Sequence, residues 1–319
     1  MTYRAPAAEG TPAVVTDAAP SEVTAQVRVV DVGPAVGPAA DAAASARVAG
    51  ELVASFRGTG FAVVTGHGVP TALFAAMAEV SDEFFALPQE EKLAVGFPAP
   101  EVVRGYEPVP PAGGAGRDVN VLESFLVNRL DPAGDYPEGS PEHRLWRWPN
   151  RWPQRPARMR PIWERYYREM EGLGDRLLEL VATGLGLQAG WFAPSFARHF
   201  SNLVVNHYPP RVPEHGDVRP RNRPHTDHGA LTLLYRPDEP GGLEVYAQRR
   251  WWRVPFVPGS LVLNVGDILE RWTNGALPAT PHRVMTPSPE AARAGRRSIV
   301  YFQQPDPAAV VAPRPRWPL

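Results

Sequence analysis

The chain has 319 residues, enough for one large or two small domains, and carries 33 basic against 34 acidic residues, a net charge of −1. That balance, without a strongly basic block, gives nucleic-acid binding no electrostatic support, and no apolar run approaches the ~20 residues of a membrane helix. There is no cysteine, so disulfides, Cys-ligated zinc and a Cys nucleophile are excluded.

Residues 1–26, rich in Ala, Pro, Thr and Glu without periodicity, read as a disordered tail ahead of a single domain at 27–319. They lack a basic stretch followed by an apolar run, so no secretory signal is expected and a cytoplasmic location fits. Ala44, Val48, Leu52 and Phe56 share a helix face within residues 41–57, and the glycines at 58 and 60 stop it. Phe61-Ala62-Val63-Val64 reads as a buried strand. A second helix starts at Pro70, turns Leu73, Ala76, Met77, Val80 and Phe84 inward, and ends before Leu87-Pro88. Residues 98–118 are Pro- and Gly-rich and read as a loop, 122–128 as a strand, and the prolines between 131 and 156, Pro137, Pro141, Pro149, Pro153 and Pro156 among them, forbid continuous helix. Ile162, Tyr166, Met170, Leu173 and Leu177 mark the longest helix, over 162–185, supporting a sheet. Trp146, Trp148 and Trp152 read as an aromatic cluster packing against it, with part of a lid as the other reading.

The texture then changes. Short strands are expected at 203–208, 231–235, 243–246, 251–254, 261–265, 282–285 and 298–302, punctuated by Gly241-Gly242, Pro258-Gly259 and Gly266-Asp267. That spacing suggests a sandwich or barrel, and a jelly roll suits an internal metal site. The helix-rich part is thus 27–200 and the strand-rich part 201–305.

Two features carry chemistry. His225 and Asp227 point to one side of an extended segment, and His282 follows Asp227 after 282 − 227 = 55 residues, from a distant strand. Two histidines and a carboxylate are the facial triad of non-haem Fe(II) oxygenases, with three positions left open. The bare pattern is weak: a surface turn after Pro224 also explains it, and catalytic zinc uses the same ligands. The second feature is Arg296-Arg297-Ser298 at the head of a strand, where Arg296 and Ser298 share one face and suit a carboxylate.

The flanks add a resemblance. His225-Thr226-Asp227-His228-Gly229-Ala230-Leu231-Thr232-Leu233-Leu234, Gly259-Ser260-Leu261-Val262-Leu263-Asn264-Val265-Gly266-Asp267, Trp272-Thr273-Asn274-Gly275, Pro281-His282-Arg283-Val284 and Arg296-Arg297-Ser298 resemble the motifs of the isopenicillin N synthase-like Fe(II)/2-oxoglutarate-dependent dioxygenases, in order and spacing. So do Gly60-Phe61-Ala62-Val63-Val64-Thr65-Gly66-His67-Gly68-Val69 and Arg104-Gly105-Tyr106 upstream. The resemblance spans residues 27–305. It implies a mixed α/β (α+β) fold: a distorted double-stranded β-helix, or jelly roll, flanked by N-terminal and central helices.

Carried over residue by residue, the resemblance makes His225, Asp227 and His282 the Fe(II) ligands. Arg296 and Ser298 would bind the distal carboxylate of 2-oxoglutarate, with Arg297 facing away. Asn206-His207-Tyr208 matches the family's Asn-x-Tyr, which sets Asn206 and Tyr208 beside the cosubstrate. A buried core tyrosine is the other reading of Tyr208. O2 is the second cosubstrate; succinate and CO2 are the products. His207 and His228 are not expected to bind metal, and His67 reads as turn chemistry. The substrate pocket would draw on Arg104, Tyr106, Phe125, Phe302 and Gln304, although Arg104 also reads as a solvated loop residue and Phe125 as core. The presence of Asp227, which related halogenases replace, favours hydroxylation, desaturation or cyclisation.

The expected enzyme hydroxylates a small molecule in bacterial secondary metabolism, such as antibiotic biosynthesis, with no nucleic-acid, membrane or obligate protein partner. Three alternatives stay open. One is a 2-oxoglutarate-independent iron oxidase of the same family, and another is a non-catalytic metal-binding jelly roll. A zinc hydrolase would need a general base, and Glu244 and Glu270 read better as structural. The chain stops at Leu319 without a long helical tail, which leaves open what closes the pocket on that side.

Overall fold

A computed structural model describes residues 27–37, 40–100, 102–110, 122–130, 136–146, 148–210, 220–237, 242–285, 293 and 295–313; the expected tail at 1–26 lies outside them. Strand β1 (Arg28–Asp31) and the short α1 (Gly33–Val36) precede α2 (Ala42–Thr59), β2 (Phe61–Thr65), α3 (Thr71–Phe85) and α4 (Gln89–Leu93). Then come β3 (Gly105–Glu107), β4 (Glu123–Asn128), α5 (Pro141–Trp146) and the long α6 (Met159–Gly184). A 3-10 turn at Ala189–Phe192 leads into α7 (Ala193–Phe196). The strand-rich part holds β5 (Asn202–Tyr208), β6 (Asn222–His225), β7 (Leu231–Tyr235), β8 (Leu243–Ala247), β9 (Arg250–Arg253) and β10 (Leu261–Val265). It closes with α8 (Asp267–Trp272), β11 (His282–Val284) and β12 (Arg296–Gln303).

Local chemistry sets the ends of α2. The Asp41 side chain accepts a hydrogen bond from the Ala44 N–H at 2.7 Å, and Gly60 stops the helix in the left-handed region at φ 68°. A Cβ on Gly60 would lie 2.4 Å from the Pro278 carbonyl oxygen, so no other residue fits there. The result delivers the chain straight into β2.

Eight strands form one sheet in the order β1-β2-β10-β7-β12-β5-β4-β3, and four form a second, β6-β11-β8-β9. Alternation sorts the side chains of the large sheet. Ala62, Val64, Phe125, Val127, Leu203, Val205, Leu231, Leu233, Leu261, Leu263, Ile299 and Tyr301 join α2, α3 and α6 in one buried core. Phe61, Val63 and Val262 point the other way and pack with Leu243, Val245, Trp252 and Val284 of the small sheet. This two-sheet arrangement, with helices on the outer face of the large sheet, is the architecture expected of the jelly roll. The site lies between the sheets.

Several boundaries differ from the sequence reading. The stretch 98–118 contains β3, paired in antiparallel register with β4, so it is not all loop. β6 was hidden because Asn222-Arg223-Pro224-His225 has no apolar alternation; at the edge of the small sheet it needs none. Gly266-Asp267 opens α8 instead of marking a simple turn. Trp152 packs edge-on against Trp163 of α6, centroids 6.4 Å apart, as expected of helix support.

Candidate metal and cosubstrate site

β6 and β11 are neighbours, and their register sets His225 directly opposite His282. Asp227 lies two residues beyond β6, where the chain crosses to the large sheet. The main-chain N–H of Asp267 donates to the Asp227 carbonyl at 2.7 Å, and that of Gly266 to the Ala230 carbonyl at 2.9 Å, so α8 docks the crossing segment. A Cβ on Gly266 would lie 2.1 Å from the Gly229 oxygen; glycine permits this approach.

The ligand atoms of His225, Asp227 and His282 lie within 4.8 Å of one another. Asp227 Oδ1 is 3.7 Å from Nε2 of each histidine. Two donors about 2.1 Å from a common ion can stand that far apart. The outward atoms are all engaged. Asp227 Oδ2 accepts from Thr232 Oγ1 at 2.6 Å and Asn264 Nδ2 at 2.7 Å. Nδ1 of His225 meets the Arg223 carbonyl at 2.7 Å, and Nδ1 of His282 meets that of Thr280 at 3.2 Å. A carbonyl only accepts, so each neutral ring carries its proton on Nδ1 and turns the Nε2 lone pair inward. Burial holds the His282 imidazole below its ordinary range, against the pull of Asp227. The donor set therefore fits a divalent metal through one oxygen and two nitrogens.

On β12 and β5, Arg296 pairs with Tyr208 and Ser298 with Asn206. The Arg296 guanidinium stands 4.9 Å over the Tyr208 ring. Asn206 Oδ1 accepts from Ser124 Oγ at 2.8 Å. Burial raises the Tyr208 hydroxyl above its usual range; Arg296, a hydrogen bond with Ser298, and Arg221 partly offset this. These four expected residues share the inner face of the large sheet. Arg221 belongs to the same cluster and was missed: it precedes an edge strand that carries no hydrophobic pattern. Arg297 turns outward and forms an ion pair with Asp82 of α3.

The expected substrate residues divide. Phe302 pairs with Thr232 on the inner face, one strand from the residue that holds Asp227. Gln304 lies against Gly229, whose Cβ would stand 3.3 Å from its side chain. Two others, Phe125 and Tyr106, are corrected. Phe125 is fully buried on the helix side, against Phe84 and Trp163. Tyr106 faces the same way and donates to Glu123 at 2.5 Å. Arg104 is buried too, which removes its reading as a solvated loop residue; Tyr167 of α6 is one of its electrostatic neighbours. Period-2 alternation alone does not say which face of a strand meets the helices, and here it is the face bearing Phe125 and Tyr106.

His67, His228 and His207, the other histidines singled out in the sequence, bond to protein groups. His67 Nε2 meets the Gly259 carbonyl at 2.8 Å. His228 Nδ1 lies 3.0 Å from Asp267, exposed to solvent. His207 faces the helices and bonds Glu123 at 2.8 Å.

Comparison with known proteins agrees with this geometry. Residues 199–305 match the 2OG-Fe(II) oxygenase superfamily domain, and residues 27–155 match the non-haem dioxygenase N-terminal domain described from morphine synthesis. Validamycin A dioxygenase of Streptomyces hygroscopicus subsp. limoneus is 32% identical over 86% of this chain and 76% of its own length. A crystal structure from Caulobacter crescentus, assigned to the 2OG-Fe(II) oxygenase family, superposes with a TM-score of 0.77 at 31% identity, covering 90% of this chain and 89% of that one. A full-length Neurospora crassa protein crystallised in complex with alpha-KG superposes at 0.76 with 26% identity, covering 90% and 87%. The chain belongs to the 2OG-Fe(II) oxygenase superfamily and is a non-haem Fe(II)/2-oxoglutarate-dependent dioxygenase.

Proposed function

We propose that the protein hydroxylates a small molecule in bacterial secondary metabolism, with His225, Asp227 and His282 as the iron ligands and Arg296 and Ser298 as the seat of the distal carboxylate of 2-oxoglutarate. The observation that carries this reading is the convergence of one carboxylate oxygen and two imidazole nitrogens whose outward atoms are all tied back to the protein. Validamycin A dioxygenase, a bacterial relative, supports the metabolic setting.

When bound, iron and 2-oxoglutarate supply the activation of O2, and the protein supplies placement. Three ligands from the chain leave the other coordination positions to cosubstrates. Arg296 presents a planar fork to a carboxylate, and Ser298 adds a hydroxyl from the same strand face. Tyr208, held by Arg296 and Ser298, fixes the side of that seat. Leu243, Val245, Trp252 and Val284 of the small sheet pack on Phe61, Val63 and Val262 beside the triad and hold the two sheets in place around it.

Anaerobic addition of Fe(II) and then 2-oxoglutarate tests the reading by visible absorption. A weak charge-transfer band near ~500 nm is expected from chelation at an N/O-ligated iron. His225→Ala and Asp227→Ala should lose the band and all substrate-dependent succinate release while remaining folded. Full turnover in either variant would overturn the ligand assignment.

A further inference from the structure

Rows of cross-strand neighbours run over the inner face of the large sheet. One row is Asn128, Asn202, Phe302, Thr232, Asn264 and Phe61, on β4, β5, β12, β7, β10 and β2. One end of this row is the metal clamp. Thr232 and Asn264 hold Asp227, and the Phe61 ring meets His282 edge-on, centroids 5.3 Å apart. The other end carries two carboxamides. The adjoining row toward Arg296 is apolar, with Leu126, Val204, Val300 and Leu234.

Asn128 is 5% exposed, and its Oδ1 is buried with no hydrogen-bond partner among the described residues. Its main chain, by contrast, is satisfied: the Asn150 side chain accepts from its N–H at 2.8 Å and donates to its carbonyl at 2.9 Å. An unmet acceptor inside a protein is unfavourable unless a ligand or water meets it. Asn202 stands beside it, half-buried, two strands from Thr232. Strands lie about 4.8 Å apart, so that distance across the sheet is about 10 Å, the length of a molecule of one or two rings. Neither row contains a charged side chain.

We propose that Asn128 and Asn202 select the substrate: an uncharged ring compound that lays an apolar face on Leu126, Val204 and Phe302 and offers a hydrogen-bond donor beside an acceptor to the two carboxamides. This deepens the proposed function and rests on its placement of the metal at Asp227. A carboxylate or ammonium group at that end would lose its hydration and meet no counter-charge among these residues.

The test uses fragments as probes on the protein loaded with Fe(II) and 2-oxoglutarate. Methyl glucoside and myo-inositol carry hydroxyl edges, 2-piperidone and uracil carry amide edges, and benzoate and naphthalene are the charged and apolar controls. Two readouts are taken: perturbation of the ~500 nm band and stimulation of 2-oxoglutarate consumption. The neutral polar fragments should perturb and stimulate, and the two edge types show which source fits better. Asn202→Leu should weaken that response about tenfold and leave 2-oxoglutarate titration of the band unchanged, while Asn202→Ser keeps part of it. A response confined to benzoate or naphthalene, none from the neutral set, or one indifferent to Asn202→Leu overturns the proposal. Loss of the band itself in the wild type would instead refute the metal and cosubstrate reading, so the two failures are distinct.

Discussion

Arg297 of β12 reaches through to the helix side of the large sheet, pairs with Asp82 of α3 and donates to the Ala78 carbonyl at 3.2 Å, while its neighbours Arg296 and Ser298 point to the inner face. The strand proposed to seat the cosubstrate is thus fastened from behind. Arg297→Leu should raise the dissociation constant for 2-oxoglutarate a few-fold, about 1 kcal/mol for a half-exposed ion pair, with iron affinity unchanged. Anaerobic titration of the charge-transfer band measures both. An unaltered 2-oxoglutarate affinity would reduce the clamp to a stability contact.

Arg296→Lys replaces a planar fork with a point charge. The 2-oxoglutarate requirement should rise about tenfold, whereas Arg297→Lys keeps the pair with Asp82 and should change it little. Succinate release against 2-oxoglutarate concentration separates the two variants. The reverse order would hand the carboxylate to Arg297.

Thr232 and Asn264 hold the oxygen of Asp227 that faces away from the histidines. Without them the carboxylate is free to rotate. Thr232→Val and Asn264→Leu should each lower iron affinity about 10- to 100-fold, read by competition with a chelator. Equal iron affinity in both variants would show that the loop alone fixes Asp227.

Glu123 anchors a cluster on the helix side. Burial pushes its carboxyl up, but hydrogen bonds from His207, Lys92 and Tyr106 outweigh this and bring it down to about 2. The ordinary value is about 4.3, so the folded value is depressed. The stability from this group is present above ~4.3 and lost as the pH falls through about 2. Glu123→Gln should therefore destabilise the protein at neutral pH and flatten the acid limb of its stability curve. Urea unfolding at neutral pH and at about pH 3 measures both; an acid limb as steep as that of the wild type would shift the cause to other carboxylates.

The meeting of His225, Asp227 and His282 and the strands at 231–235 and 261–265 were legible because a strong apolar pattern runs beside motif residues at fixed spacing. β6 was not, because an edge strand needs no buried face and Pro224 suggests a turn. Phe125 and Tyr106 were set in the pocket because parity is visible in sequence but the assignment of faces is not. The helices that claim one face of β4, through Phe84 and Trp163, are distant in the chain. Arg221 carries no local signal at all; only the pairing of β6 with β11 brings it toward Tyr208.

Each histidine of the triad leans on a carbonyl two residues upstream in its own chain, Arg223 for His225 and Thr280 for His282. The proton of each ring is thereby parked locally, by the segment that carries the ligand and not by the metal. A change at position 223 or 280 that redirected either carbonyl would therefore turn a ring of the triad without touching any of its three residues.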